Sequence, residues 1–153
     1  MDVRFVNPFL EATVEVIKTM AFVDPVAGKP FLKEDNAAHG DISGIIGITG
    51  STNGSLALSF SESCIVRIVS NMLGEEITSL NGEIKDAVGE LTNMVSGAAR
   101  RRLEHEGFNL KAAIPTVVYG KNHCIVHVLG GPSIIIPFKT DSGSFVVDVC
   151  LGG

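Results

Sequence analysis

Residues 83–106, EIKDAVGELTNMVSGAARRRLEHE, decide the fold of this chain, because their apolar members recur every three or four positions. That period places apolar side chains along one side of an α-helix. The members of this side are Ile84, Ala87, Val88, Leu91, Met94, Val95, Ala98 and Leu103. The stretch therefore predicts a long helix over residues 83–106 whose apolar side faces a core.

The opposite side of this predicted helix is polar. Its members are Glu83, Asp86, Glu90, Asn93, Gly97, Arg101 and Glu104. At about 3.6 residues per turn, Glu90 and Asn93 lie nearly one above the other. Within a helix Asn is up to ~0.7 kcal/mol and Gly ~1 kcal/mol less favourable than Ala, so stability alone does not explain Asn93, Gly89 and Gly97. Small residues beside a polar pair would let another surface approach the backbone, which indicates a functional face.

The spacing Asp86-x-x-x-Glu90-x-x-Asn93, followed after a long gap by Pro115, resembles the signature of the CheC/CheX/FliY phosphatases. These proteins remove phosphate from the chemotaxis response regulator CheY. A single copy of the motif is most similar to CheX. The resemblance covers the chain in length and element order, and its specificity lies in four positions. It implies an α+β, CheC-like/CheX fold with internally duplicated helix-plus-strand halves and a β-sheet packed by long helices.

The resemblance also implies roles for individual residues. Glu90 and Asn93 would be the catalytic pair, reaching into the active site of a phosphorylated receiver domain. Asn93 would orient the attacking water through its amide, and Glu90 would pair with the receiver's lysine. The chain would need no cofactor or metal of its own, because the receiver supplies Mg²⁺. Residues expected to contact the partner are Asp86, Gly89, Met94 and Gly97. Pro115 would fix the start of a strand.

Composition limits the class of protein. A chain of 153 residues with 45% hydrophobic residues fits one domain, 1–153. Its net charge of −5 argues against nucleic-acid binding, and the run Arg100-Arg101-Arg102 complements the helix dipole. Three separated cysteines without a CxxC pair indicate reduced thiols. Since neither a signal peptide nor an apolar run of ~20 residues occurs, we expect a soluble cytoplasmic protein.

The remaining elements follow from period and turn residues. We expect helices over residues 3–22 and 61–73, and strands over residues 41–49, 55–60, 116–120, 124–129, 133–138 and 144–151. Residues 45–50 resemble 125–130, and residues 55–60 resemble 133–138, which indicates an internal repeat. The first helix, the counterpart of the helix over residues 83–106, lacks Glu-x-x-Asn, so one site per chain is expected.

Other interpretations remain open from the sequence. The same helix would also suit a non-catalytic module that binds a receiver, flagellar or adaptor protein. A third possibility is a structural homodimerising domain, and the family resemblance itself implies a homodimer, with an edge strand supplied by residues 134–136 or 145–147. His123 and His127 would share one side of a strand, but no third metal ligand lies nearby in sequence, which disfavours a zinc site.

Overall fold

The computed structural model describes residues 3–33, 39–127 and 132–152, and along them one helix and four strands are followed by two helices and four further strands. The helices are α1 (Val6–Ala21), α2 (Glu62–Leu73) and α3 (Gly82–Glu104), and a 3₁₀ turn, Val3–Phe5, precedes α1. The strands are β1 (Val26–Ala27), β2 (Phe31–Leu32), β3 (Gly40–Gly50), β4 (Gly54–Phe60), β5 (Leu110–Ala112), β6 (Thr116–His123), β7 (Ile134–Thr140) and β8 (Gly143–Leu151).

These strands form one antiparallel sheet in the order β1-β7-β8-β4-β3-β5, with β2 also on β7 and β6 also on β3. The hairpins β3–β4 and β7–β8 meet at the centre, where β4 pairs with β8 from Gly54↔Leu151 to Phe60↔Phe145. The flanking strands of each half, β1 and β2 in the first and β5 and β6 in the second, pair with the hairpin of the other half. The architecture therefore has the predicted α+β class and the predicted pair of similar halves.

All three helices cover the same side of the sheet. The Phe5 ring, just before α1, contacts the Phe108 ring, just beyond α3, with centroids 5.0 Å apart, so α1 and α3 run antiparallel. The core beneath them takes alternate residues of each central strand, such as Leu56, Leu58 and Phe60 of β4. This alternation is the period-two pattern that a sheet with one helix-covered side requires.

Gly44 of β3 allows a close approach between α3 and the sheet. A Cβ at Gly44 would lie 1.9 Å from Oγ1 and 2.9 Å from Cβ of Thr92, and 3.3 Å from Cγ1 of Val88. Thr92 is itself fully buried and donates a hydrogen bond of 2.7 Å to the Val88 carbonyl. The strand therefore needs glycine at this position so that the middle of α3 can lie directly on it.

The outer side of the sheet carries a buried polar cluster beside apolar residues such as Ala57 and Ile135, which pair in register with Asp148. Asp148 of β8 accepts hydrogen bonds from His127 Nε2 at 2.8 Å and from Lys33 Nζ at 2.6 Å, and Ser55 is hydrogen-bonded to His127 Nδ1. Lys33 Nζ also donates to the carbonyl of Ile125. These bonds fasten the connection after β6 across the sheet.

This connection corrects one strand prediction. Residues 124–127 are not a strand, and residues 128–129 lie outside the described residues. His123 and His127 do not share one side of a strand: His123 Nε2 lies 2.6 Å from Ser43 Oγ, whereas His127 contacts Asp148. Among the described residues, no group of three or more potential ligands is placed to hold a metal ion.

The repeat and the edge strands also need correction. The topology matches β3–β4 with β7–β8, so residues 55–60 correspond to β8 and not to residues 133–138. Residues 145–147 lie in β8, between β4 and β7, and β7 is itself covered by β1 and β2. Neither 134–136 nor 145–147 is therefore an open edge. Three short strands, β1, β2 and β5, were not predicted.

The three cysteines are reduced, as predicted, and none of them is part of a disulfide. Burial raises the pKa of the Cys64 thiol to about 11, which makes it a poor nucleophile at neutral pH. Within the part of the chain that the structure describes, no helix combines the length and apolar character needed to cross a membrane.

Substitution of Gly44 tests the contact between α3 and β3. We expect Gly44→Ala to lower the free energy of unfolding by about 1–3 kcal/mol or more, because the methyl group overlaps Thr92. Gly47→Ala is the matched control on the same strand, since its nearest neighbour, Cβ of Ala113, lies 3.9 Å away. Urea unfolding measures both variants, and equal stabilities would contradict the proposed close contact.

Asp148 should make a pH-dependent contribution to stability. Burial would raise the pKa of its carboxyl, but hydrogen bonds from His127 and Lys33 outweigh burial and hold that pKa below 3.8. The ionised carboxylate therefore stabilises the fold above pH ~4, and this contribution is lost as the pH falls through the lowered value. At pH 7 we expect Asp148→Asn to cost about 3–5 kcal/mol, because it leaves buried partners uncompensated.

The control for Asp148→Asn is Asp24→Asn. The Asp24 side chain is 82% exposed and pairs with Lys18 at 3.2 Å, so its loss should cost no more than ~1 kcal/mol. Unfolding at pH 7 and at acidic pH measures both variants. A gap between Asp148→Asn and the parent that stays constant down to acidic pH would contradict the assigned ionisation.

Candidate functional site

The sequence sets both ends of α3. Asn81 is the N-cap, and its side-chain oxygen accepts a hydrogen bond of 3.0 Å from the backbone N–H of Ile84. The helix ends at Glu104, two residues before the predicted end. Gly107 adopts a left-handed φ of 91°, and the backbone N–H of Phe108 returns to the Leu103 carbonyl. Between these ends α3 is a continuous rod of 23 residues.

The outward face of α3 carries Asp86, Glu90 and Asn93, and all three are exposed. On the opposite face Val88 and Leu91 are fully buried. Among the described residues, neither the Glu90 carboxylate nor the Asn93 amide has a hydrogen bond or ion pair through its side chain. The predicted pair therefore lies together on the surface, and both groups are open to a partner.

The residues expected beside this pair lie on its two flanks. Gly89 faces β6, and a methyl group there would reach within 3.5 Å of Cγ2 of Val117. Met94 lies on the other flank, half-buried against the core beneath α1 and α3. Viewed down the helix axis, Gly97 lies between Gly89 and Met94, and it is one turn beyond Asn93. Two glycines and the flexible thioether of Met94 thus flank the polar stripe.

Sequence analysis did not predict the groove that α1 and α3 form beside Asn93. It has a volume of about 410 Å³. Its lining consists of Glu15, Val16, Thr19, Asn93, Met94, Gly97, Ala98, Arg100 and Arg101. No local pattern indicates this groove, because Glu15 and Thr19 of α1 become neighbours of Asn93 only through the antiparallel packing of α1 and α3.

Pro115 is not part of this face. It lies directly before Thr116, the first residue of β6, which pairs with Ile45 of β3. Its fixed φ and missing N–H suit the residue before a strand at the side of a sheet. This is the position that the predicted structural role of Pro115 requires, and the three other members of the motif, Asp86, Glu90 and Asn93, are brought together on α3 without it.

The chemistry available on this face is limited to binding and orientation. A carboxylate accepts hydrogen bonds and attracts cations, whereas an amide both donates and accepts. Neither group is an effective nucleophile, and no described side chain is hydrogen-bonded to either one to activate it. The pair is thus suited to act on a reactive group carried by another molecule.

Known proteins resemble this chain in sequence and in fold. Residues 42–139 match the family model described as chemotaxis phosphatase CheX. A CheY-P phosphatase CheX from Thermotoga maritima is 36% identical over 123 residues, 80% of this chain and 79% of that protein. A CheC-like superfamily protein from Shewanella sp. PV-4 matches with a TM-score of 0.94 and 47% identity, and all of both chains is covered.

A third relative was solved with a partner. The crystal structure of the CheX-CheY-BeF3-Mg+2 complex from Borrelia burgdorferi matches with a TM-score of 0.83 and 26% identity. The match covers 97% of this chain and 98% of that chain.

Alanine substitutions should separate the two faces of α3 by stability. We expect Glu90→Ala and Asn93→Ala to change the free energy of unfolding by no more than about ±0.5 kcal/mol, because both side chains are exposed. Leu91→Ala should cost ~2–5 kcal/mol, because it removes a fully buried side chain. Chemical unfolding measures all three. A large loss in Asn93→Ala would mean that its amide supports the fold.

Proposed function

This chain belongs to the CheX family of chemotaxis phosphatases, and we propose that it accelerates the dephosphorylation of a CheY-like response regulator. The observation that carries the proposal is the exposed pair of Glu90 and Asn93, with no intramolecular partners among the described residues, on a rigid helix of a CheX-family chain. The reaction would be hydrolysis of an aspartyl phosphate in the receiver domain. This chain would act as a single domain, and the predicted homodimer stays a prediction.

Asn93 would position the attacking water. An amide can accept a hydrogen bond from water through its oxygen and donate another through its NH₂ group, for example to a phosphoryl oxygen. A glutamine has the corresponding task in GTPases, where it orients the attacking water. Asn93 would not remove a proton. Its contribution would be the placement of water in line with the phosphorus atom, which requires that its backbone be held firmly.

Glu90 would dock the receiver by pairing with its active-site lysine. Interfacial charge pairs of this kind contribute orientation and discrimination more than affinity. At about 1.5 Å of rise per residue, Glu90 and Asn93 are ~4.5 Å apart along the axis, close enough to enter one active site. Asp86, Gly89, Met94 and Gly97 would contact the receiver around this pair.

The metal would belong to the partner. We propose that this chain has no cofactor of its own and that Mg²⁺ is bound by the receiver, where it would neutralise charge on the phosphoryl group. The relative from Borrelia burgdorferi, whose structure includes CheY, BeF3 and Mg, supports a receiver as the partner. The receiver would therefore provide the phosphate and the metal, and this chain would provide the amide that orients the water.

The lifetime of a phosphorylated receiver tests this proposal. Asn93→Ala should lower kcat by about 10²-fold, because the water loses its orientation. Glu90→Ala should chiefly raise KM, because the docking contact is lost. Release of phosphate from a panel of phosphorylated CheY-like receivers, with and without this protein, measures both effects.

Glu75→Ala serves as the control, since it removes an exposed carboxylate from the segment after α2 and should leave both parameters unchanged. If the parent protein binds a phosphorylated receiver saturably yet leaves its phosphate lifetime unaltered, the alternative of a non-catalytic receiver-binding or adaptor module is correct. If the double variant Glu90→Ala/Asn93→Ala acts at the parent rate, the residue assignment is wrong.

A further inference from the structure

Two arginine side chains fold back across Gly97, one turn beyond Asn93 on the outward face of α3. A Cβ at Gly97 would lie 3.6 Å from Nη1 of Arg101 and 3.8 Å from Nη2 of Arg100. Helical side chains lean toward the N-terminus, so these guanidinium groups cover the turn that separates them from Asn93. Gly97 lies about 6 Å from Asn93 along the axis, given the rise of ~1.5 Å per residue.

The arginine pair, Arg100 and Arg101, is not occupied by carboxylates of its own chain. Arg101 has no hydrogen bond or ion pair with any residue of the described ranges. Arg100 donates from Nε to the Ser96 hydroxyl at 3.2 Å and has no carboxylate partner among those residues. The third arginine of the run behaves differently: Arg102 is paired with Glu15 of α1.

The surroundings of the arginine pair are basic, although the chain as a whole carries a net charge of −5. Both guanidinium groups line a groove of about 660 Å³ between the C-terminal half of α3 and the ends of β3 and β5. The charged side chains lining that groove are Arg100, Arg101, Lys111 and Glu104. Three cations thus face one carboxylate beside the stripe that carries Asn93.

We propose that the arginine pair is a second docking contact, which binds carboxylates around the phosphorylation site of the receiver. This inference rests on the proposed function. A protein site that holds Mg²⁺ is built largely from carboxylate and other oxygen ligands, and a phosphoryl group adds further negative charge. The surface that meets Asn93 should therefore present carboxylates beside its Mg²⁺ and lysine, and guanidinium groups match carboxylates through paired N–H donors.

The position of the pair decides which kinetic step it affects. Arg100 and Arg101 are separated from Asn93 by about one to two helical turns, so they would lie beside the reacting group and not on it. Exposed charges at the margin of an interface act mainly on the rate of association and its salt dependence. The pair should therefore lower KM and Kd while leaving kcat almost unchanged. It is a positioning feature, whereas Asn93 is a catalytic residue.

Charge removal with a matched control tests this inference. The variants are Arg101→Ala, Arg101→Lys and, as the control, Arg67→Ala, which removes an exposed cation from α2 beside a different groove. For each, Kd is measured for a CheY-like receiver loaded with Mg²⁺ and beryllium fluoride as a phosphoryl mimic, at about 50 mM and about 300 mM salt. KM and kcat for phosphate release are measured in parallel.

We expect Arg101→Ala to raise Kd and KM about tenfold at low salt, with a smaller effect at high salt and with kcat within about twofold of the parent value. Arg101→Lys should restore most of the affinity, and Arg67→Ala should match the parent. Equal Kd values for Arg101→Ala and Arg67→Ala would overturn the inference. So would a fall in kcat at constant KM, which would place the guanidinium group on the phosphoryl group itself.

Failure of the proposed function gives a different result. A parent protein that binds the loaded receiver without shortening its phosphate lifetime would refute the phosphatase proposal alone, and the comparison of Kd values would still decide the role of Arg101. If the weaker binding of Arg101→Ala is accompanied by a lowered free energy of unfolding of that variant, the docking contact is overturned. If no receiver of the panel binds the parent protein, both proposals are wrong.

Discussion

The close contact between α3 and β3 at Gly44 determines which side chains of α3 face solvent. The missing side chain lets Thr92 and Val88 lie directly on the strand, and this fixes both the height and the rotation of the helix. A rotation of about 100° separates successive residues of an α-helix, so an error of one position would turn the Glu90 side chain toward a flank. A single glycine in a strand thus decides which residues α3 presents to solvent.

The outward face of α3 is also ordered by charge along its length. Acidic residues, Asp86 and Glu90, occupy the first half, and the neutral amide of Asn93 lies near the middle. Arg100 and Arg101 lie in the second half, where Glu104 at the end of the helix is the exception. This order agrees with the helix dipole, which favours anions near the N-terminus and cations near the C-terminus. The same arrangement would hold a receiver in one direction along the helix, because reversal would bring like charges together.

Sequence patterns predicted those parts of the fold that depend on local chemistry. The period of apolar residues placed α3 and its two faces, and period and turn residues placed the strands of the β3–β4 hairpin. Two-residue strands such as β1 and β2 have no detectable period, because pairing with β7 alone defines them. Residues 124–127 have the sequence pattern of a strand, but they are not one, and their position is fixed by the hydrogen bonds of His127 to Ser55 and Asp148. The groove beside Asn93 and the folding of Arg101 over Gly97 depend on tertiary contacts.

The exchange of flanking strands between the two halves has a consequence for how such a protein can originate. In the present chain β1 and β2 complete the hairpin of the second half, while β5 and β6 complete the hairpin of the first. A gene encoding only one half would yield a polypeptide that leaves backbone groups unpaired unless it intertwines with another copy. Once both halves are in one chain, the strand exchange is satisfied internally, and only one of the two helices, α3, has to carry the reactive residues.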